Sequence, residues 1–186
     1  MSQPQSPAGL AIVTGAAGGM GSAAAAQLAA QGWSLILCDM DSGRLEACAK
    51  ALPANGQPVA LLAGDIGDPG WVDRLLATLG DRPIGALIHT AGLSPTMGDA
   101  RRMFAINYDA TVRLVEAVRS RMDKGACAVL IASTSGYLMK SAEIDAALDT
   151  LEPGQDLSAL LEIATDSGRA YALSKRAVIR LSLIHI

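Results

Sequence analysis

The sequence predicts an α/β fold in which a doubly wound parallel sheet is flanked by helices. Five short apolar runs, each suited to a strand buried on both faces, alternate with helix-compatible stretches. Strands that alternate with helices need right-handed crossovers, which make the strands parallel in one sheet. The predicted strands are Leu10–Val13, Leu35–Cys38, Val59–Ala63, Ala86–His89 and Cys127–Ala132.

The predicted helices carry apolar residues at i, i+3 and i+4 spacing. They are Met20–Gln31, Gly43–Leu52, Gly70–Leu79, Asp99–Met122 and Ala170–Leu181. The chain shows neither an internal repeat nor a linker that would divide it. We therefore predict a flexible polar tail over residues 1–8, followed by a single domain over residues 9–186.

The composition favours a globular protein with a small-molecule partner. The 186 residues are 51% hydrophobic and 18% charged, with a net charge of −3 and no run of Lys or Arg, which argues against nucleic-acid and membrane partners. The apolar runs are far shorter than the roughly 20 residues that span a bilayer. Cys38, Cys48 and Cys127 match neither a disulfide framework nor a metal motif, so we expect free thiols, no metal and a reducing cytoplasm.

A glycine-rich segment joins the first strand to the first helix. In the segment Thr14–Gly21, Gly15 permits a tight turn. Gly19, Met20 and Gly21 begin the helix, and a pyrophosphate can approach the helix N-terminus there. A P-loop is disfavoured because no Gly-Lys-Ser/Thr follows. This context predicts a Rossmann-type dinucleotide site, with an unliganded strand-to-helix loop as the alternative.

An acidic residue ends the second strand. Asp39 lies 18 positions after Gly21, where a Rossmann unit places a carboxylate on the adenosine ribose. Its charge would repel a 2′-phosphate, so NAD(H) is preferred and NADP(H) is less favoured. Asp41 or Arg44 can modify this preference, and a solvated strand-end acid is the alternative reading of Asp39.

A phenol and an ammonium lie four residues apart near the end of the chain. Tyr171 and Lys175 therefore share one face of a helix. A neighbouring cation favours a phenolate, which would let Tyr171 act as general acid or general base near neutral pH. In isolation such a pair is usually an ordinary helix surface, so the interpretation depends on the glycine loop.

Together, the T-G-x-x-x-G-x-G loop and the Y-x-x-x-K motif resemble the short-chain dehydrogenase/reductase family, over Leu10 to about Leu181. The resemblance assigns further positions: Asp65 and Ile66 contact the adenine, Ala91 and Gly92 end the family's Asn-Asn-Ala-Gly motif beside the cofactor, and Asn107 belongs to a water-mediated proton relay.

The resemblance also assigns a serine. The family's catalytic hydroxyl lies three residues before a glycine, which selects Ser133, before Gly136, over Ser135. Ser133 would then hydrogen-bond the substrate oxygen, Tyr171 would exchange the proton, and Lys175 would hold the nicotinamide ribose. Hydride would pass between the cofactor and the carbonyl carbon.

Two departures from the family pattern stand out. His89 and Thr90 replace the two asparagines, so a hydrogen bond that stabilises the central sheet must be made otherwise or be absent, and His89 is expected to be a strand residue, not a ligand. The interval from Ser133 to Tyr171 is long and predicts a helical segment inserted over about residues 138–167. That segment is similar to one in the 3α-hydroxysteroid dehydrogenase/carbonyl reductase branch; an unrelated insertion is the alternative.

The end of the chain also departs from the family, whose members continue with further strands. We therefore expect a sheet that is incomplete at the C-terminus, a chain that is inactive or poorly soluble by itself, and a homo-oligomer for the full-length form. The leading interpretation is an NAD(H)-dependent oxidoreductase that interconverts a secondary alcohol and a ketone. The alternatives are an inactive nucleotide-binding regulatory or scaffold fragment and, ranked last, a sugar-nucleotide epimerase or dehydratase.

Overall fold

The computed structural model describes residues 9–53, 58–151 and 158–184 and contains a five-stranded sheet. The strand order is β3-β2-β1-β4-β5, and the pairs β1–β2, β1–β4 and β2–β3 are parallel. The strands are β1 (Leu10–Thr14), β2 (Ser34–Asp39), β3 (Pro58–Ala63), β4 (Ile84–His89) and β5 (Met122–Leu130). The predicted fold class, a Rossmann-type sheet flanked by helices, is confirmed. The predicted tail lies outside the described residues.

Eight α-helices, one π-helical turn and one 3₁₀ helix occur in the described ranges. The first half of the chain holds α1 (Gly19–Ala30), α2 (Ser42–Lys50) and α3 (Trp71–Leu79). A second group comprises α4 (Ala100–Phe104), the π turn (Ala105–Asp109) and α5 (Ala110–Arg119). The last part holds the 3₁₀ helix (Thr134–Met139), α6 (Ala142–Asp149), α7 (Ser158–Ile163) and α8 (Ser167–Ile184).

Strands β1 and β2 form the buried centre of the sheet. Ile12 and Ile36 are paired in register and have no solvent exposure, as expected for parallel strands covered on both faces. The strand order reverses at β1, whose neighbours are β2 and β4. The carboxyl ends of β1 and β4 therefore form a topological switch point, which is where open α/β sheets bind their ligands.

The predicted long helix and the fifth strand have different bounds in the structure. The π turn at Ala105–Asp109 interrupts the helix, which ends at Arg119, short of the predicted Met122. Strand β5 covers Met122–Leu130 instead of Cys127–Ala132. The first half of β5 is polar and mostly exposed in the described sheet, so an apolar-run criterion misses it.

The chain divides into two compact units. The first comprises residues 1–91 and 117–129 and contains the core of strands β1, β2 and β4. The second comprises residues 92–116 and 130–186, and its core includes Phe104, Tyr108, Leu148, Leu160 and Leu173. The predictions of one domain and of an insertion stay predictions; residues 138–167 contain α6 and α7.

Candidate active site

The glycine loop of the first unit has no room for side chains. Gly15 has a left-handed φ of +65°, and a Cβ there would lie 2.8 Å from the Ala91 nitrogen and the Thr90 hydroxyl oxygen. A Cβ on Gly21 would lie 2.1 Å from the Gly15 carbonyl oxygen. Since these contacts are largely to backbone, neither position can accept alanine without moving the chain. The loop is therefore shaped by glycine at both positions.

The amino end of α1 is suited to an anion. Gly18 precedes the helix and has no side chain that could accept from the free N–H groups of the first turn. Among the described residues of that turn, none is acidic. A Cβ on Gly19 would meet no heavy atom within 4 Å, and the Met20 side chain is exposed. Open space beside unpaired N–H groups at the positive end of a helix fits a pyrophosphate. The residues present thus fit a dinucleotide.

Asp39 at the end of β2 contacts this loop directly. Its carboxylate accepts a hydrogen bond from the Ala17 nitrogen at 2.9 Å, and Arg44 Nη2 donates to the Ala17 carbonyl oxygen at 2.8 Å. An acid and a base therefore bind the backbone N–H and the backbone C=O of the same loop residue, Ala17. The sequence indicates Arg44 as a residue that can modify the preference for NAD(H), and the structure places its positive charge beside the loop.

A thiol supports the neighbouring residue of the loop. Cys48 Sγ donates to the Ala16 carbonyl oxygen at 3.1 Å, and the Ala16 nitrogen donates to the Cys38 carbonyl oxygen at 3.0 Å. Burial, and secondarily the charge of Asp39, raise the pKa of the Cys48 thiol. A raised pKa keeps the sulfur protonated as the donor that this contact needs.

At the carboxyl ends of β1 and β4, a histidine and a threonine join the two strands. Thr14 Oγ1 and His89 Nδ1 are 2.7 Å apart and buried, and the Thr90 hydroxyl donates to the Thr14 carbonyl oxygen at 2.8 Å. His89 is the last residue of β4, as expected. In this unit, side-chain hydrogen bonds thus link the strands where the family pattern has two asparagines.

The remaining nucleotide-site candidates of this unit follow β3 and β4. Asp65 Oδ1 accepts from the Gly67 nitrogen at 2.8 Å, and Ile66 is buried. The Ala91 nitrogen points to Thr14 Oγ1 at 3.4 Å. These contacts shape the loops at the carboxyl edge of the sheet, and the adenine role of Asp65 and Ile66 stays a prediction.

In the second unit, α8 carries the phenol and the ammonium. Lys175 Nζ lies 5.8 Å from the centre of the Tyr171 ring, within range of a cation–π interaction. Nζ also donates to the Ile131 carbonyl oxygen at 2.7 Å. Burial lowers the pKa of Lys175. The ammonium is thus held in place by a backbone carbonyl two residues before Ser133.

Ser133 is the N-cap residue of the 3₁₀ helix, and its side chain contacts Ser135. Ser133 Oγ accepts from the Ser135 nitrogen at 3.2 Å and from the Ser135 hydroxyl at 2.9 Å. Because Ser133 accepts both bonds, its own hydroxyl proton is directed elsewhere and can serve a substrate oxygen. Ser135, the alternative in the sequence, thus orients Ser133.

The serine-to-glycine spacing has a packing cause. A Cβ on Gly136 would lie 3.0 Å from the Arg176 nitrogen and 3.1 Å from the Lys175 carbonyl carbon. Only glycine allows the 3₁₀ helix to approach the backbone of α8 this closely. The glycine that identified Ser133 therefore brings its turn against the helix that carries Tyr171 and Lys175.

Asn107 lies buried on the π turn and uses its whole side-chain amide. Oδ1 accepts from the Leu93 nitrogen at 2.7 Å, while Nδ2 donates to the Leu93 carbonyl oxygen and to Ser174 Oγ, both at 3.1 Å. Gly92 lies beside this group: a Cβ there would be 3.0 Å from Asn107 Oδ1 and 3.5 Å from Lys175 Nζ. The relay role of Asn107 stays a prediction.

Two ion pairs near the site were missed by the sequence analysis. Arg176 Nε donates to Asp145 Oδ1 at 2.7 Å, and Arg180 Nε donates to Asp149 Oδ1 at 2.7 Å, so α6 is joined to α8. The hydrogen bond from Arg176 is the main cause that lowers the pKa of Asp145. Acids four residues apart on one predicted helix and arginines four apart on another were the available signal.

Among the helices described, none is both long and apolar enough to cross a membrane. Within the same described ranges, no three His, Cys, Asp or Glu side chains are grouped to hold a metal ion.

A glycine loop at the switch point of a parallel sheet, with a Tyr-Lys pair on a helix, is typical of nucleotide-dependent oxidoreductases. Comparison with known proteins gives the family. The family model described as short chain dehydrogenase matches residues 9–145, and the chain belongs to the short-chain dehydrogenase/reductase family. The members of this family are oxidoreductases that bind NAD(P). The finer resemblance to the hydroxysteroid dehydrogenase branch stays a prediction.

The individual relatives share between about a fifth and a third of their aligned residues with this chain. The 1-deoxy-11-beta-hydroxypentalenate dehydrogenase of Streptomyces arenae is 33% identical over 69% of this chain and 51% of the relative. The bulky-bulky ketone specific alcohol dehydrogenase of Comamonas testosteroni has a TM-score of 0.72 at 22% identity, over 96% of this chain and 66% of that one. The Pseudomonas aeruginosa RhlG/NADP complex has a TM-score of 0.68 at 22% identity, over 94% and 63%. The chain spans about half the length of the first relative.

Proposed function

We propose that the protein is an NAD(H)-dependent oxidoreductase that interconverts a secondary alcohol and a ketone, with Tyr171 as general acid and base. One observation carries the proposal. Tyr171 and Lys175 lie on one face of α8, with Nζ 5.8 Å from the phenol ring and tied to Ile131, next to the Ser133 turn. A phenol held near an ammonium is suited to exchange a proton with an alkoxide.

The residues have complementary tasks in ketone reduction. Bound NAD(H) supplies or accepts the hydride. As the carbonyl carbon gains the hydride electron pair, its oxygen becomes negative and accepts a hydrogen bond from Ser133 Oγ. Tyr171 then gives its phenolic proton to that oxygen, and the positive charge of Lys175 stabilises the phenolate left behind. Alcohol oxidation runs through the same groups in reverse, with Tyr171 taking the proton.

A direct experiment follows the hydride. The protein is incubated with NADH deuterated at nicotinamide C4 on either face and with a panel of apolar ketones. We expect deuterium from one face only to appear on the carbinol carbon of the product, by mass spectrometry. A sample without the protein is the control. Binding of NADH without transfer to any ketone would support the scaffold alternative.

The cofactor preference is a second part of the proposal. Asp39 places a negative charge at the glycine loop, which supports NAD(H), and Arg44 lies close enough to reduce that preference. In Asp39→Asn, an amide oxygen can still accept from the Ala17 nitrogen, but the charge is lost. We expect the ratio of NADPH to NADH affinity to rise about tenfold, the effect of about 1.4 kcal/mol of removed repulsion.

Fluorescence titrations with NADH and NADPH measure this ratio. Asp68→Asn, which removes an exposed carboxylate after β3, is the matched control and should leave the ratio unchanged. An unchanged ratio in Asp39→Asn would place the discrimination elsewhere.

The proposal also includes the cellular location and the oligomeric state of the protein. We place the protein in the cytoplasm, which is supported by the free thiols of Cys38, Cys48 and Cys127. The family resemblance supports a homo-oligomer for the full-length form.

A further inference from the structure

Ser174 lies on α8 between the two residues of the proposed proton-transfer pair and is fully buried. Its hydroxyl donates to the Tyr171 carbonyl oxygen at 2.8 Å and accepts from Asn107 Nδ2 at 3.1 Å. A serine inside a helix often bonds back to its own preceding turn. The additional contact to a buried amide on another element is what distinguishes Ser174.

The direction of this chain of hydrogen bonds is determined by the backbone. The Leu93 nitrogen can only donate, so it must face Asn107 Oδ1, and the amide nitrogen must face Ser174. The Ser174 proton is then left for the Tyr171 carbonyl oxygen. Both Nδ2 protons and Oδ1 of Asn107 have partners, which makes the amide a rigid link between Leu93 and α8.

The same link lies beside the ammonium. Gly92 precedes the residue that Asn107 holds, and a Cβ on Gly92 would contact both Asn107 Oδ1 and Lys175 Nζ. A shift of α8 relative to Gly92 would therefore move Nζ. The contact between Ser174 and Asn107 is a buried polar bond that opposes such a shift, besides the bond from Lys175 to Ile131.

We propose that Ser174 is a positioning residue: through its hydrogen bond from Asn107 it sets the place of Lys175 and Tyr171 relative to residues 92–93. The inference rests on the proposed function. Loss of the hydroxyl leaves an Asn107 N–H without its acceptor and lets α8 move. Small misplacements of catalytic groups lower the chemical step more than binding.

The first test compares Ser174→Ala with Ser182→Ala. Ser182 is on the same helix, and its hydroxyl makes the same type of backward bond, to the Ile179 carbonyl oxygen at 2.8 Å, but it is exposed. We expect Ser174→Ala to lower kcat about tenfold with KM changed less than about twofold. Ser182→Ala should change neither. Equal effects of the two variants would overturn the proposal.

Coupling to Asn107 provides a stricter criterion. In an Asn107→Ala background, Ser174→Ala should cause little further loss, because the shared hydrogen bond is already absent. Independent, multiplying losses would show that the two residues do not act together. Ser174→Cys nearly keeps the side-chain volume, but its thiol forms only weak hydrogen bonds, so kcat should be intermediate. This variant replaces Ser174→Ala in the test if Ser174→Ala does not fold.

A readout without cofactor separates this inference from the proposed function. The chain has four lysines, so ¹³Cε-lysine NMR gives four signals, and Lys175→Arg identifies that of Lys175. We expect this signal to move in Ser174→Ala and to stay in Ser182→Ala. If it stays in both, Ser174 does not position Lys175, whatever the protein catalyses. If it moves while Tyr171→Phe keeps full turnover, the proposed function fails and the positioning contact stands.

Discussion

Replacing Tyr171 by phenylalanine is expected to lower kcat by about 10³-fold, within the range that a general acid or base contributes. The ring packs against the core of the second unit, and phenylalanine keeps that packing while removing the proton that the alkoxide needs. NADH affinity should therefore change less than about twofold. Steady-state kinetics and NADH fluorescence titration measure the two quantities on the same preparation.

Tyr137→Phe is the matched control because it removes an exposed phenol from the 3₁₀ helix. Its kcat should stay close to that of the unmodified protein. Full turnover in Tyr171→Phe would contradict the mechanism. A loss of NADH binding equal to the loss of turnover would instead assign Tyr171 to cofactor binding.

Asp145→Asn is expected to cost about 1–2 kcal/mol of unfolding free energy, between the values for an exposed and for a buried ion pair, because Asp145 is only partly buried. The Arg176 side chain is only 5% exposed and Asp145 is 18% exposed, so water replaces little of the lost interaction. Urea unfolding followed by circular dichroism measures the difference.

The stability that the Asp145–Arg176 ion pair contributes should increase with pH. Arg176 lowers the pKa of Asp145 in the folded protein, so the pair adds stability above the ordinary pKa of aspartate. That contribution is lost as the pH falls through the lowered folded value. The difference in unfolding free energy between the unmodified protein and Asp145→Asn should thus be largest near neutral pH and should disappear in acid. Asp68→Asn, in an exposed pair with Arg74, should change stability little; an equal loss there would contradict the role of burial.

The sheet and the nucleotide loop were predictable because their signals are local. An apolar run such as Leu35–Cys38 identifies a doubly buried strand, and a glycine at position 21 is required by backbone contacts within the same loop. Strand β5 was wrongly bounded because its start, with Asp123 and Lys124, depends on pairing with β4 instead of burial. The π turn was missed because it adds a single residue between two segments, α4 and α5, that are both helical.

The site was predictable where a motif carries the chemistry. Tyr171 and Lys175 lie on one face of α8, as their spacing requires. The partners that hold them could not be read from the sequence: Ile131 contributes only a backbone carbonyl, and Asn107 reaches Ser174 across 67 positions. Contacts of this kind depend on how the elements pack, so no local pattern encodes them.

The double use of Asp39 has an evolutionary consequence. The carboxylate proposed to recognise the ribose also accepts the Ala17 N–H that shapes the loop. A mutation to a small or basic residue would change cofactor preference and loosen the loop in the same step. A lineage that adopts the phosphorylated cofactor must therefore pass through asparagine or acquire a compensating acceptor for Ala17. On the proposed function, cofactor preference and loop shape thus depend on the same side chain, and asparagine is the substitution that would separate them.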